Sequence, residues 1–127
     1  MHLVRDNIKA LVIDDDRLMR TMLSTHLESS GFEVYLATNG REGSHQLKNI
    51  TDIDLVITDM IMPEKEGLET ISYLKKNRPD LKIIAISGGG LFKAGDLLGM
   101  AKKFGADAVF AKPIDFDELD NAIRAMF

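Results

Sequence analysis

Carboxylate, hydroxyl and ammonium groups stand directly after four short apolar runs of this sequence. Asp14–Asp16 follow the first run, Asp59 follows the second, Ser87 follows the third, and Lys112 follows the fourth. Clustered carboxylates are suited to a hard divalent cation such as Mg²⁺. A lysine and a hydroxyl can bind phosphoryl oxygens. If the fold brings these groups together, they predict a site for phosphoryl transfer.

The apolar runs themselves are typical of buried parallel strands, because they alternate with segments of helical periodicity. In an open α/β sheet, the ligand site lies at the carboxyl ends of such strands, which is where the polar residues fall. The predicted strands cover residues 9–13, 32–36, 54–58, 82–86 and 108–111, and the second of them is expected near an edge of the sheet.

Five helices are predicted between and after the strands, at about 17–30, 41–48, 66–77, 95–104 and 117–126. Right-handed crossovers between five strand–helix units give a doubly wound sheet with helices on both faces. The apolar residues of the first helix recur three and four positions apart, which predicts one buried helix face: Leu18, Met19, Met22, Leu23 and Leu27. Gly31 should end that helix in a left-handed conformation.

The length and composition of the chain limit the classes of protein to which it can belong. With 127 residues, the chain is expected to form one domain. Its 16 basic and 20 acidic residues give a net charge of −4, which argues against nucleic acid as a direct partner. The absence of cysteine excludes disulfides and thiolate chemistry. No stretch approaches the roughly 18 apolar residues of a membrane span, so a cytoplasmic protein without membrane contact is expected.

The acidic cluster has two interpretations. Asp14–Asp16 can hold a cation, or they can simply begin a loop and favour the start of the first helix. Because Asp59 and Lys112 stand at matching strand ends, the cation site is the favoured interpretation. Asp14, Asp15 and Asp59 are then the candidate ligands for Mg²⁺ or Mn²⁺. Lys112 can serve either as a structural ion pair or as a phosphoryl ligand.

These segments, taken in order, resemble the receiver domain of two-component response regulators. The resemblance covers essentially the whole chain and implies a flavodoxin-like (βα)5 three-layer sandwich, with a parallel five-stranded sheet in the order 2-1-3-4-5. The segments that carry it are Val12–Asp16, Thr58–Pro63, Ile86–Gly88, Ala111–Pro113, Gly67 and Gly105–Asp107.

The resemblance also implies roles for individual residues. Asp59 corresponds to the phosphoacceptor, and Asp14 and Asp15 correspond to the acidic pair that holds Mg²⁺, with Asp15 as the more direct ligand. Ile61 would offer its backbone carbonyl to the same ion. Asp16 lies outside the metal pair and is interpreted as a loop or capping residue.

Two further residues correspond to those that read the phosphoryl group. Ser87 matches the hydroxyl that turns toward it, and Lys112 matches the lysine that binds it. The bond from Lys112 to Pro113 is expected to be cis. Phosphorylation would then bias two conformations, and Val109 and Pro113 lie in the segment that should report the change.

The implied function is that of a phosphoacceptor in a phosphorelay rather than of an enzyme. The donor would be a histidine kinase or a phosphotransfer protein, and the output would be a downstream protein bound by the fourth helix, fifth strand and fifth helix. A phosphorylation-dependent homodimer is compatible with this. The fifth helix ends at Met126, so no effector domain is expected within residues 1–127.

The sequence departs from the family pattern at three places. Val109 stands where the family usually has Tyr or Phe, whose ring moves inward on activation. Either this aromatic switch is absent here, or Val109 is simply a good strand residue. Phe110 is next to it but points to the opposite face of the sheet. Residues 88–92 predict a mobile loop with an apolar tip. Ile61 and Gly89 offer no side-chain hydrogen bond to a hydrolytic water, which predicts slow self-dephosphorylation.

Two other classes of function fit parts of the pattern. Asp14–Asp16 also match the acidic core of haloacid dehalogenase-like phosphatases, but the chain has no cap and Asp59 would be unexplained. Turnover of a phosphoester would identify that class. A receiver-shaped binding module that is never phosphorylated is the second rival, and labelling by acetyl phosphate would exclude it.

Overall fold

A parallel five-stranded sheet forms the centre of the molecule. The computed structural model describes residues 7–60, 64–87, 99 and 102–127, with the backbone alone for residues 64–68. The strand order is β2-β1-β3-β4-β5, which confirms the predicted fold class and topology. The strands are β1 (Lys9–Ile13), β2 (Glu33–Ala37), β3 (Leu55–Asp59), β4 (Lys82–Ser87) and β5 (Ala108–Ala111).

Helices follow the strands as predicted. They are α1 (Arg17–Ser29), α2 (Gly40–Asn49), α3 (Glu64–Asn77), α4, whose described residues are 99 and 102–104, and α5 (Phe116–Met126). The other residues of the fourth predicted helix lie outside the described part of the chain. Among the residues that are described, no helix combines the length and the apolar character that crossing a membrane requires.

The three central strands, β1, β3 and β4, are buried on both faces, and this divides the core into two layers. In β1, Leu11 and Ile13 belong to a cluster that includes residues of α2 and α3. Ala10 and Val12 belong to the opposite cluster, which includes residues of α1 and α5. Alternate side chains of one strand therefore hold helices on opposite sides of the sheet, giving the expected three layers.

The prediction of a single buried face for α1 is wrong at two positions. Leu23 and Leu27 are buried and Met19 packs against them. Leu18 and Met22 are 67% and 43% exposed. Successive residues of a helix are about 100° apart, so the row formed by Leu18 and Met22 lies one residue round the helix from the buried row. Because Leu18 and Met22 are four residues apart, they share one side of the helix, but that side does not face the sheet.

The ends of α1 are fixed by local hydrogen bonds. The Asp16 carboxylate accepts a hydrogen bond from the backbone N–H of Leu18 at 3.0 Å, as an N-cap does. This agrees with the interpretation of Asp16 as a capping residue. Gly31 has φ 96°, which confirms the left-handed conformation predicted after the helix. The chain therefore turns sharply at both ends of α1, and its N-terminus is held close to the end of β1.

Candidate functional site

Asp14 is held by hydrogen bonds from three directions. It directly follows β1 and is 1% exposed. Its backbone N–H donates to the Ala37 carbonyl at 3.1 Å, and its Oδ1 accepts from the Asp16 N–H at 2.8 Å. Its carbonyl oxygen accepts from Arg20 Nη1 at 2.6 Å. The second carboxylate oxygen, Oδ2, is the atom turned toward the rest of the site.

Asp59 lies at the end of β3, between β1 and β4, and is 2% exposed. Asp14, Asp15 and Asp59 each contribute a carboxylate oxygen to a group in which all such oxygens lie within 4.8 Å of one another. Asp14 and Asp59 are buried, whereas Asp15 is exposed. The structure thus brings together the three carboxylates that the sequence predicted, with one of them at the entrance.

Lys112 bridges the two buried carboxylates. Its Nζ lies 3.1 Å from Asp59 Oδ2 and 3.3 Å from Asp14 Oδ2. Its backbone N–H donates to the Ser87 carbonyl at 2.8 Å, which ties the residue after β5 to the end of β4. The peptide bond between Lys112 and Pro113 is cis, as expected. The ammonium therefore lies at the same sheet edge as the acids.

Burial and mutual repulsion perturb the acid–base behaviour of the site. Burial raises the pKa of Asp14 to about 6, and the neighbouring Asp59 carboxylate adds to the rise, while the Asp16 N–H and the Lys112 ammonium oppose it. Burial acts to lower the pKa of Lys112, but the charges of Asp59 and Asp14 outweigh it and raise that pKa above its ordinary value. The lysine is thus kept protonated beside acids that repel one another.

Ser87 has a buried hydroxyl group at the sheet edge that carries the site. The residue is 1% exposed, and its Oγ has no hydrogen-bond partner among the described residues. It ends β4, whose neighbours β3 and β5 carry Asp59 and lead into Lys112. A buried hydroxyl without a partner costs free energy, so this group is suited to a ligand that supplies an acceptor.

The donor set fits a hard divalent cation. Three carboxylates face one ammonium, so the ionised site carries excess negative charge. Asp14 Oδ2 is buried, and the Lys112 ammonium lies 3.3 Å from it. Oxygen ligands on one open side, with room for water, are what Mg²⁺ prefers. The carbonyl of Ile61, the remaining predicted ligand, lies outside the described residues.

The segment that should report phosphorylation is described only in part. Val109 packs against the core cluster on the α2 and α3 side, and Phe110 packs on the opposite side. The prediction that these neighbours face opposite ways is confirmed. The predicted loop at 88–92, with Gly89, lies outside the described residues, so its mobility and its effect on dephosphorylation stay predictions.

Arg20 belongs to the site although the sequence did not single it out. Its guanidinium donates to the Asp14 carbonyl from the second turn of α1. The sequence held one usable signal: Arg20 follows the N-cap residue Asp16 by four positions, so a long side chain there can reach back over the start of its own helix.

Comparison with known proteins finds relatives over nearly the whole chain. The chain is 29% identical to sporulation initiation phosphotransferase F of Bacillus subtilis, over 93% of this chain and 92% of that protein. A receiver domain structure from Clostridium thermocellum superimposes with a TM-score of 0.84 at 33% identity, covering 94% and 93% of the two chains. The response regulator TrrA of Thermotoga maritima, in complex with Mg²⁺ and BeF, gives 0.78 at 29% identity, covering 94% and 99%.

Many curated relatives are longer proteins. This chain spans about half, or less, of the length of the first transcriptional regulatory proteins that it matches. The match to the family model, by contrast, runs through nearly all of it, from residue 10 to residue 124. The chain therefore belongs to the response regulator receiver domain family of two-component systems.

Proposed function

We propose that this chain accepts a phosphoryl group on Asp59 from a phosphohistidine of a kinase or phosphotransfer protein. The observation that supports this most directly is the placement of the Asp59 carboxylate, which is buried at a strand end, 3.1 Å from the Lys112 ammonium and grouped with two further carboxylates. Family membership supports the reaction class, and the contacts of Asp59 support its choice as the acceptor.

The transfer is a displacement at phosphorus. An Asp59 carboxylate oxygen forms a bond to phosphorus while the phosphorus–nitrogen bond to the donor imidazole breaks, and the imidazole leaves with the electron pair and takes a proton from solvent. The Lys112 ammonium, which already lies next to Asp59 Oδ2, then binds a negatively charged phosphoryl oxygen. The Ser87 hydroxyl, which lacks a partner among the described residues, donates to another.

Asp14 and Asp15 would hold Mg²⁺ together with Asp59, with the Ile61 carbonyl as a further ligand. When bound, the ion neutralises charge on the acids and on the phosphoryl oxygens. Burial of Asp14 and exposure of Asp15 leave the open side of the group toward solvent, where the donor must approach. Mn²⁺, which favours the same oxygen ligands, should be able to replace Mg²⁺.

The proposed output is a change of conformation and not the release of a product. Movement of Lys112 and Ser87 would alter β4, β5 and the neighbouring helices α4 and α5, which we propose as the surface that binds a downstream protein or a second copy. We further propose a cytoplasmic location, where a histidine kinase can reach the acceptor. We thus propose a phosphoryl-accepting signalling domain and not an enzyme, with at most self-phosphorylation from small donors and self-dephosphorylation.

Acetyl phosphate labelling with Mg²⁺, read by intact mass, tests this proposal. Wild type should gain one phosphoryl group, and Asp59→Asn should gain none. Asp80→Asn is the control, because Asp80 is an exposed carboxylate in the loop before β4, at the opposite end of the sheet. An Asp59→Asn variant that is labelled as well as wild type would contradict the assignment. Steady turnover of a phosphoester would instead identify a phosphatase.

A further inference from the structure

The orientation of Asp14 decides whether its free carboxylate oxygen faces the acidic group. Three of its four polar atoms are engaged: the N–H by Ala37, Oδ1 by the Asp16 N–H, and the carbonyl oxygen by Arg20. Only Oδ2 is left facing the Lys112 ammonium. Any change that lets the Asp14 peptide rotate would therefore turn this oxygen away from its neighbours.

Arg20 differs from the other two partners of Asp14 because it contributes a charged side chain. Ala37 and Asp16 use backbone groups that any residue would supply, whereas the guanidinium contact, at 2.6 Å, is a charge-assisted hydrogen bond. Among these three partners, the contact made by Arg20 alone depends on which amino acid occupies the position. The sequence therefore specifies this part of the site through a single residue.

Arg20 is itself held by the loop that it supports. Its backbone N–H donates to the Asp16 carbonyl at 3.0 Å, which is the first hydrogen bond of α1, and Asp16 in turn caps that helix. The Asp16 N–H donates back to Asp14 Oδ1. Asp14, Asp16 and Arg20 thus form a closed ring of hydrogen bonds. The Arg20 guanidinium closes this ring by donating to the Asp14 carbonyl oxygen.

The charge of Arg20 also reaches the start of α2. The Thr38 hydroxyl and N–H hold the pKa of the Glu42 carboxyl below its usual range, and the positive charge of Arg20 acts in the same direction. The guanidinium of Arg20 is therefore placed by its hydrogen bond to the Asp14 carbonyl, while its charge also acts on Glu42 near the start of α2.

From this geometry we infer that Arg20 is a positioning residue for the divalent cation: it fixes the Asp14 peptide so that the Asp14 carboxylate stays grouped with those of Asp15 and Asp59. This rests on the proposed function, since the cation belongs to that site. Arg20 itself touches neither the cation nor the phosphoryl group. Outer residues that orient metal ligands commonly change metal affinity by about 10–100-fold when they are removed.

A positioning role and a purely electrostatic role of Arg20 predict opposite changes in cation affinity when Arg20 is removed. If Arg20 acted only through its charge, its removal would strengthen cation binding, because a like charge would be lost. If Arg20 orients Asp14, its removal weakens binding, and it weakens Mg²⁺ more than Ca²⁺, because Mg²⁺ requires near-ideal octahedral geometry whereas Ca²⁺ tolerates irregular sites. The sign of the change and the ratio between the two ions therefore identify the mechanism.

Calorimetric titration of Mg²⁺ and Ca²⁺ into wild type, Arg20→Ala and Arg20→Lys tests this without any measurement of phosphorylation. We expect Arg20→Ala to bind Mg²⁺ at least about tenfold more weakly, with a smaller loss for Ca²⁺. Arg20→Lys should recover part of the Mg²⁺ affinity, since it keeps a donor but not the planar fork. Arg17→Ala is the matched control, because it removes the same charge from an exposed site at the start of α1.

Circular dichroism without divalent cations checks that each variant is folded, and Arg20→Lys carries the comparison if Arg20→Ala is not. Mg²⁺ binding by Arg20→Ala that equals or exceeds that of wild type would overturn the inference, as would equal losses for the two ions. Failure of the proposed function looks different: wild type itself would neither bind Mg²⁺ nor become labelled on Asp59.

Discussion

The Asp14 carboxyl group is buried beside the Asp59 carboxyl group, and burial raises its pKa from 3.8 to about 6. At pH 7 and without divalent cations, its ionised form therefore opposes folding. We expect Asp14→Asn to increase the free energy of unfolding by about 1–3 kcal/mol, because each pKa unit corresponds to about 1.4 kcal/mol and loss of the Lys112 contact offsets part of the gain. Urea unfolding measures this.

The matched control is Asp15→Asn, in the same loop but exposed. That substitution should change the free energy of unfolding by no more than about 0.5 kcal/mol, because the charge is already solvated. Destabilisation by Asp14→Asn, or an equal gain from both variants, would show that burial of the charge is not what limits stability here.

The raised pKa of Asp14 also predicts the pH dependence of stability in the absence of cations. Between about pH 4 and pH 6 the folded protein holds the Asp14 proton, whereas the unfolded chain has released it. The contribution of this group to stability is therefore complete below pH 4 and is lost as the pH rises through 6. The stability of wild type relative to Asp14→Asn should fall across that window and level off above it, as urea titrations at a series of pH values will show.

Ser87 gives a similar prediction for a neutral group. Its hydroxyl is buried without a hydrogen-bond partner among the described residues, so it contributes nothing to the resting fold that offsets its desolvation. Ser87→Ala should leave stability unchanged or raise it by about 1 kcal/mol. It should also weaken the spectral response to beryllofluoride and Mg²⁺. A marked loss of stability would mean that the hydroxyl already has a partner in the resting state.

At the scale of elements, Gly43 explains how closely α2 approaches the sheet. A Cβ placed on Gly43 would lie 3.0 Å from Ile13 Cγ1 and still closer to Ile13 Cδ1. From the sequence, Gly43 only weakens its helix; the structure shows that it makes room for Ile13, the residue before Asp14. Gly43→Ala should therefore destabilise by about 1–3 kcal/mol despite its better helix propensity.

Thermal and urea unfolding of Gly43→Ala can be compared with Ser44→Ala, the next residue of α2. Ser44 is only half-buried, so alanine there should be neutral or mildly stabilising. If both substitutions stabilised the protein to a similar degree, the contact with Ile13 would be too soft to limit the approach of α2.

The positions of helices and strands along the chain could be predicted from the sequence better than the way each helix is rotated against the sheet. Apolar runs and helical spacing located the strands and the caps at Asp16 and Gly31, because those signals depend on neighbours in the chain. The exposed row of Leu18 and Met22 could not be read, since the rotation of α1 is decided by the sheet it packs on. The reach of Arg20 to Asp14 was missed for the same reason.

At the scale of the molecule, the sequence pattern predicted a doubly wound parallel sheet with the site at its strand ends, and the resemblance to receiver domains implied the strand order. Once five parallel strands share one sheet, Asp14, Asp59, Ser87 and Lys112 must meet at one edge. What the order could not supply was the arrangement within the site. That Lys112 bridges both buried carboxylates depends on side-chain conformations that no spacing rule encodes.

Divalent cations should stabilise the whole domain, since they bind the folded acidic group and not the unfolded chain. With Mg²⁺ at about a hundred times its Kd, wild type should gain about 2.7 kcal/mol. Asp14→Asn and Asp59→Asn should gain little, although Asp14→Asn starts from a higher stability. Unfolding monitored with and without Mg²⁺ measures this, with Asp80→Asn as a control that should respond like wild type. An equal gain in all variants would place the cation elsewhere.

The sheet gives its strands unequal freedom to move. β3, which ends in Asp59, is hydrogen-bonded to β1 on one side and β4 on the other, whereas β5, which leads into Lys112, pairs with β4 alone among the strands that the structure describes. Displacing β5 therefore breaks one ladder of backbone hydrogen bonds, and displacing β3 would break two. Asp59, the proposed phosphoacceptor, therefore ends a strand that is held on both sides, whereas Lys112, its proposed phosphoryl ligand, follows the strand that is easier to displace.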